Sequence, residues 1–146
     1  MNEDLRMSIS LDLLTKLIGA LSYVCKSSYE TKLFASAFSL AFFGLLRVGE
    51  FTSDNKDMPG GHVVKFHDIS IHNNNMEEEL HLKICSSKTD QVGNSTTLII
   101  CQQTNLTICP VRLMKSYLSV RQLSVESQFM FILTIRDLLA INLVMF

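Results

Sequence analysis

The sequence predicts an α+β fold, mainly helical, in which helices pack around a small three-stranded antiparallel sheet. Three observations carry this expectation. Apolar residues recur at three- and four-residue intervals from Leu14 to Cys25, and a run of fourteen uncharged residues fills positions 33–46. Beyond residue 61 the apolar residues alternate with polar ones or are β-branched, which is the period of strands.

In the first helix, Leu14, Leu17, Ile18, Leu21, Val24 and Cys25 form one face, with Ser10 as the N-cap and Asp12 near the positive end of the dipole. "SSYE" then predicts a capping box that opens the second helix. The Ser27 hydroxyl would accept from the Glu30 amide while the Glu30 carboxylate returns to the Ser27 amide. This helix is expected to run through "TKLFASAFSLAFFGLL" to Leu46, apolar on nearly every face and therefore enclosed by neighbours.

"SDNKDMPGG" (53–61) collects turn-forming residue types and predicts an exposed loop. "HVVKFHDISIH", "ELHLKIC" and "STTLIIC" read as three antiparallel strands. The polar "NNNMEEE" reads as a loop between the first two, and "SSKTDQVGN" as a hairpin connection between the second and third. Pro110 opens a further helix, "PVRLMKSYLSVR", with Val111, Met114, Tyr117 and Leu118 on its apolar face. "QFMFI" reads as a short extended piece and "IRDLLAINLVMF" as helical.

Composition narrows the function classes. A chain of 146 residues that is 47% hydrophobic is expected to fold as one domain or part of one. The 33–46 run falls short of the roughly 18 residues that a membrane span needs, so a buried helix is the better reading. "MNEDLRMSIS" has neither the apolar core of a secretory signal nor the pattern of a transit peptide, which predicts an intracellular site. Cys25, Cys85, Cys101 and Cys109 lack the close spacing that grips zinc, and free, mostly buried thiols are expected. The sequons at Asn94 and Asn105 are discounted for want of any secretion signal. His62, His67, His72 and His81 match no zinc spacing and read as surface histidines. A net charge of −1 and a pI near 6.4 neither propose nucleic acid nor forbid it.

The order of elements then meets specific residues. "FGLLRVGEF" resembles the first arginine motif of the tyrosine recombinase (phage integrase) family, in which an apolar helix runs into a G-L-R-x-x-E-L-like segment. "SSKTDQVGNSTTLII" is similar to that family's catalytic-lysine hairpin. "CPVRLMKSYLSVR" resembles the C-P-V-x-x-L-x-x-Y-L segment of its XerD-like and eukaryotic transposon-derived members. The likeness covers roughly 11–131 and implies the family's catalytic-domain fold, double-stranded DNA as partner, DNA integration and recombination by ancestry, and nuclear location. It implies no metal, nucleotide or other small-molecule cofactor.

On this resemblance Arg47 and Lys88 are the catalytic positions. The Arg47 fork suits two phosphate oxygens. The family's hairpin lysine protonates the leaving 5′-oxygen, a task for an ammonium that can lose its proton. Glu50 would support Arg47. Lys83 and Lys65 are weaker candidates for the lysine, and Arg112, Lys115 and Arg121 are candidate phosphate contacts on an exposed helix face. Read without the family, Arg47 and Glu50 make an ordinary helix-end ion pair, Lys88 is a solvated turn residue and Tyr117 a packed core aromatic.

The family pattern is incomplete here. No H-x-x-R follows, since Leu133 stands three residues before Arg136, and there is no tryptophan and no tyrosine after Tyr117. The nucleophile is therefore missing, and the expectation is a partial catalytic domain over 1–146, inactive alone, with an off-pattern tail at 133–146. An apolar helix face stripped of later helices would also promote self-association. The alternatives are a non-catalytic DNA-binding or protein-interaction module that retains the fold, and an unrelated α/β domain.

Overall fold

The computed structural model describes residues 9–46, 68–84 and 95–121. It comprises α1 (Leu11–Val24), α2 (Ser28–Phe43), β1 (Ile69–Asn74), β2 (Glu77–Ile84), β3 (Thr96–Cys101) and α3 (Pro110–Val120). Among the described residues the α+β expectation therefore holds, with three helices and one three-stranded antiparallel sheet in the order β1-β2-β3. The loop at 53–61, the strand residues 62–67, the β2–β3 connection at 85–94 and everything after Arg121 lie outside the described residues.

Local chemistry starts each helix. Ser10 Oγ accepts from the Leu13 amide at 3.2 Å, and Asp12 pairs with Lys16 at 2.9 Å one turn on. At α2 the Ser27 hydroxyl accepts from the Glu30 amide at 3.2 Å, as expected. The return bond is shifted: Glu30 Oε2 accepts from the Lys26 amide at 2.9 Å, not from Ser27. Glutamate has the reach to bridge either donor, and the amide one residue earlier is the one turned toward it.

The end of α2 departs from the sequence reading. The helix stops at Phe43, three residues before Leu46. The Leu46 amide bonds the Ala41 carbonyl at 2.9 Å and the Leu45 amide bonds the Phe42 carbonyl at 3.4 Å, the paired bonds of a Schellman turn. Leu45 takes the left-handed position with φ 52° and is 88% exposed. Glycine normally occupies that position, but here Gly44 sits one residue earlier, where an added Cβ would lie 2.8 Å from the Leu40 carbonyl oxygen. Apolar composition concealed this stop, because Leu45 carries no turn signal.

A second correction concerns "NNNMEEE". It is no loop: β1 and β2 pair through Asn74 and Glu77, and only Asn75 and Met76 turn the chain. Both have positive φ, 49° and 77°, as a tight hairpin turn requires. Residues 73–74 and 77–79 are polar because this end of the hairpin extends past the apolar core, where the backbone ladder and polar side-chain contacts hold it.

Alternation divides the sheet into two faces. Ile69 and Ile71 of β1, Leu80 and Leu82 of β2, and Leu98 and Ile100 of β3 belong to the core cluster, with Leu80 and Leu82 wholly buried. Pairing of Leu80 with Ile71 and Ile100, and of Leu82 with Ile69 and Leu98, aligns these residues across all three strands. The opposite face carries Ser70, His72, Glu79, His81, Lys83, Thr97, Ile99 and Cys101.

The helices close over the inner face. α1 buries Leu14, Ile18 and Leu21, and it packs on α2, which in turn packs on α3; α3 also contacts β2 and β3. Pro110 stands at the first turn of α3, and Val111, Met114 and Tyr117 are buried, with Leu118 half-buried. Small Ala35, Ser36, Ala37 and Ser39 are buried on α2, and Ser39 Oγ donates to the Ile108 carbonyl at 2.5 Å. Of the described cysteines, all free, only Cys109 is buried; Cys25 is half-buried and Cys101 exposed, so the thiols are less enclosed than expected.

The turn after α2 yields a direct test. A left-handed conformation costs a non-glycine residue about 1–2 kcal/mol, partly offset by the unfolded-state entropy that glycine adds. Leu45→Gly is expected to raise the urea midpoint, with a net gain of about 0.5–1 kcal/mol. A lowered midpoint would show that the Schellman turn is absent in solution.

Candidate nucleic-acid interface

The three family-matched positions, Arg47, Glu50 and Lys88, lie outside the described residues, as do Lys65, His62 and His67. Their flanking elements are described. Arg47 follows directly on Leu46, the last residue of the Schellman turn, and Leu46 packs against the core cluster. Lys88 falls in the connection between β2 and β3, whose ends pair as Ile84 with Thr96. The antiparallel pairing expected on either side of that lysine is present. Gly44 lies beside β3 as well, since a Cβ there would stand 3.7 Å from Ile100 Cδ1.

Of the three candidates on α3, Arg112 and Lys115 sit one turn apart on its exposed side, and each is tethered; Arg121, the C-cap, is half-buried near Tyr117 rather than exposed. Arg112 Nη1 donates to the Leu106 carbonyl at 2.9 Å, which fastens the β3–α3 connection to the helix. Lys115 Nζ meets Glu78 Oε1 at 2.6 Å, tying α3 to the start of β2, with half of the lysine side chain exposed. The Glu78 amide in turn donates to Gln102 Oε1 at 3.4 Å. Arg112 keeps further donors for an outside anion, since a guanidinium has five. Lys115 already faces a carboxylate, which reduces its pull on a phosphate. Lys83 is exposed on the outer face of β2, opposite Thr97.

Tyr117 packs as the sequence suggests. It is 1% exposed, its ring lies 5.8 Å from that of Tyr29, and the two hydroxyls are 3.4 Å apart. Burial first, and then the Tyr29 hydroxyl, push the Tyr117 phenol well above its ordinary value, while the nearby Arg121 opposes the shift. A phenol so enclosed and so firmly protonated is poorly suited to attack a phosphate.

Two groupings escaped the sequence reading. One is the Tyr29–Tyr117 pair, which joins residues 88 positions apart with no local signal. The other lies on the outer face of the sheet, where the rings of His72 and His81 stack with centroids 4.1 Å apart. His81 Nε2 is 3.2 Å from Glu79 Oε2, and Glu79 Oε1 accepts from Asn74 Nδ2 at 3.3 Å. The hydrogen bond to His81, then that to Asn74, holds the Glu79 carboxyl below the usual carboxylate range. Once the hairpin register is known, period-two alternation puts all four on one face; the mistaken loop hid them.

Among the described residues no group of three His, Cys, Asp or Glu side chains could hold a metal ion, and no helix is long and apolar enough to cross a membrane. No protein-family model, curated protein or solved structure matches the chain.

The Tyr117 environment predicts an alkaline effect with a definite sign. A phenol raised on folding stabilises the protein fully below its unfolded value near 10, and this contribution is lost as pH rises toward the folded value. Denaturant midpoints are therefore expected to fall between about pH 9.5 and 11.5, and to fall less in Tyr117→Phe. Equal slopes for the two proteins would place the alkaline loss elsewhere.

Proposed function

We propose that this chain is a DNA-binding partial catalytic domain of the tyrosine recombinase type, descended from an integrase of a mobile element and acting in the nucleus. The observation that carries the reading is the coincidence of motif with element boundary. The arginine motif begins at a Schellman turn that stops a buried helix, the lysine motif joins two paired antiparallel strands, and the C-P-V segment opens α3. These elements follow one another in the order that the resemblance implies.

Spacing supports the same reading. Gly44 abuts Ile100, and Ile100 is four residues along β3 from Thr96, roughly 13 Å at strand rise. Arg47 follows Gly44 by three residues and Lys88 follows Ile84 by four, and the reading has the two side chains converge on one phosphate. Arg47 would take two of its oxygens, and Lys88 would offer a proton at the leaving oxygen. Glu50 would orient Arg47, and Arg112 would add a phosphate contact beside the site, with Lys115 contributing once Glu78 yields.

For residues 1–146 alone, the chemistry this reading expects is binding. No tyrosine follows Tyr117 and no H-x-x-R is present, so this chain has neither the attacking phenolate nor the second arginine for the pentacoordinate phosphate. Losing one member of such a cooperative set costs orders of magnitude in rate. Phe38, Phe42 and Phe43 on α2 pack half-buried against the core, and self-association would draw on the part of them left uncovered.

Duplex binding measured against salt tests the reading. Affinity is expected to fall linearly on a logarithmic salt scale, and Arg47→Ala and Lys88→Ala should each lower the slope by about one unit. A nicked suicide duplex is expected to give no denaturant-stable adduct. Absence of binding at low salt would refute the DNA reading, whereas binding that both alanine variants retain in full would favour a DNA-binding module that uses another surface.

A further inference from the structure

On the outer face of the sheet, His72 of β1 pairs in register with Glu79 of β2, and Ser70 with His81. The two imidazoles therefore sit on a diagonal across the strands and stack at 4.1 Å. Their Nε2 atoms are directed to different partners: His72 to Ser70 Oγ at 2.8 Å, His81 to Glu79 Oε2 at 3.2 Å. We propose that this stack makes the β1–β2 hairpin a proton-sensitive clasp, which holds one imidazolium with β1 in place and releases the β1 edge strand when both rings are charged.

The argument rests on the inventory of partners. A first proton at His81 is met by the Glu79 carboxylate, and the charged ring lies against the neutral π-face of His72, an attractive arrangement. Ser70 can donate to a neutral His72, because a hydroxyl both donates and accepts. A second proton, on His72, gains only the through-space pull of that same carboxylate. Glu79 already serves His81 with one oxygen and Asn74 with the other, and two like charges would then face each other across the stack. Among the described residues, the other titratable or charged groups on this face are Glu77 and Lys83 of β2 and Cys101 of β3, which is paired across from Glu79, and buried Asp68 stands immediately before β1. α3 contacts β2 and β3, whose inward residues Leu80, Leu82 and Ile100 are buried, so the histidines are on the side away from it.

β1 is the strand that would yield. Among the described residues it has one ladder partner, β2, and its inward residues Ile69 and Ile71 are only half-buried. The turn beyond it holds Asn75 and Met76 at positive φ, and Met76 is fully exposed, so little resists opening from that end.

Backbone amide exchange on the full chain, expressed as protection factors at about pH 7.5, 6.2 and 5.0, tests the clasp over the range in which imidazoles change charge. Protection of the β1 amides is expected to drop several-fold by the lowest pH while α1 and α2 keep theirs. The drop should vanish in His72→Gln and in His81→Gln, and should deepen in Glu79→Gln, which removes the carboxylate that favours the single charge. Constant β1 protection in the wild type, or an undiminished drop in His72→Gln, overturns the proposal.

Discussion

The Ser39 hydroxyl, donating to the Ile108 carbonyl across 2.5 Å, closes the contact on which the rest of the fold depends. The two residues lie 69 positions apart, in α2 and just before α3. Small Ala35, Ser36, Ala37 and Ser39 let the backbones approach, and the approach strands a buried carbonyl that must find a donor. Serine supplies one without adding bulk. Ser36 satisfies its own hydroxyl within the helix, on the Leu33 carbonyl at 2.8 Å, so it fills space without demanding a tertiary partner. With α2 seated on α3, and α3 on the sheet, Leu40, Leu80, Met114 and Tyr117 meet as one core.

That arrangement determines where the chain can present charged groups. Beyond Lys32 in its second turn, α2 carries no charged residue; its C-terminal turn delivers the backbone to the edge of the core just before Arg47. The sheet works similarly. Buried Leu80, Leu82 and Ile100 fix the register of β2 and β3, and the register fixes which residues enter and leave their connection, where Lys88 lies. Packing thus fixes the described residues that flank both candidate positions, Leu46 before Arg47 and Ile84 and Thr96 around Lys88.

Much of the fold was legible because it follows from local rules. Ser10 and Ser27 act as caps, Pro110 opens a helix, and β-branched alternation marks the central part of each strand. What was not legible depends on backbone conformations that side chains only weakly signal. Leu45 in a left-handed turn reads as helix because leucine is a strong helix former; the Asn75–Met76 turn hides within a polar run that shows no apolar alternation. The candidate site was legible only through motif resemblance. Arg112 and Lys115 were visible as exposed cations, but their ties to Leu106 and Glu78 are tertiary and leave no mark on spacing.

The central claim is that Arg47 and Lys88 act on one anionic group. A double-mutant cycle of duplex binding for Arg47→Ala, Lys88→Ala and the combined variant measures that most directly. If both side chains grip the same phosphate, their losses will fall short of additivity or exceed it by about 0.5 kcal/mol or more. Losses that add within about 0.3 kcal/mol would mean that the two residues contact DNA independently, and the proposed site would not exist.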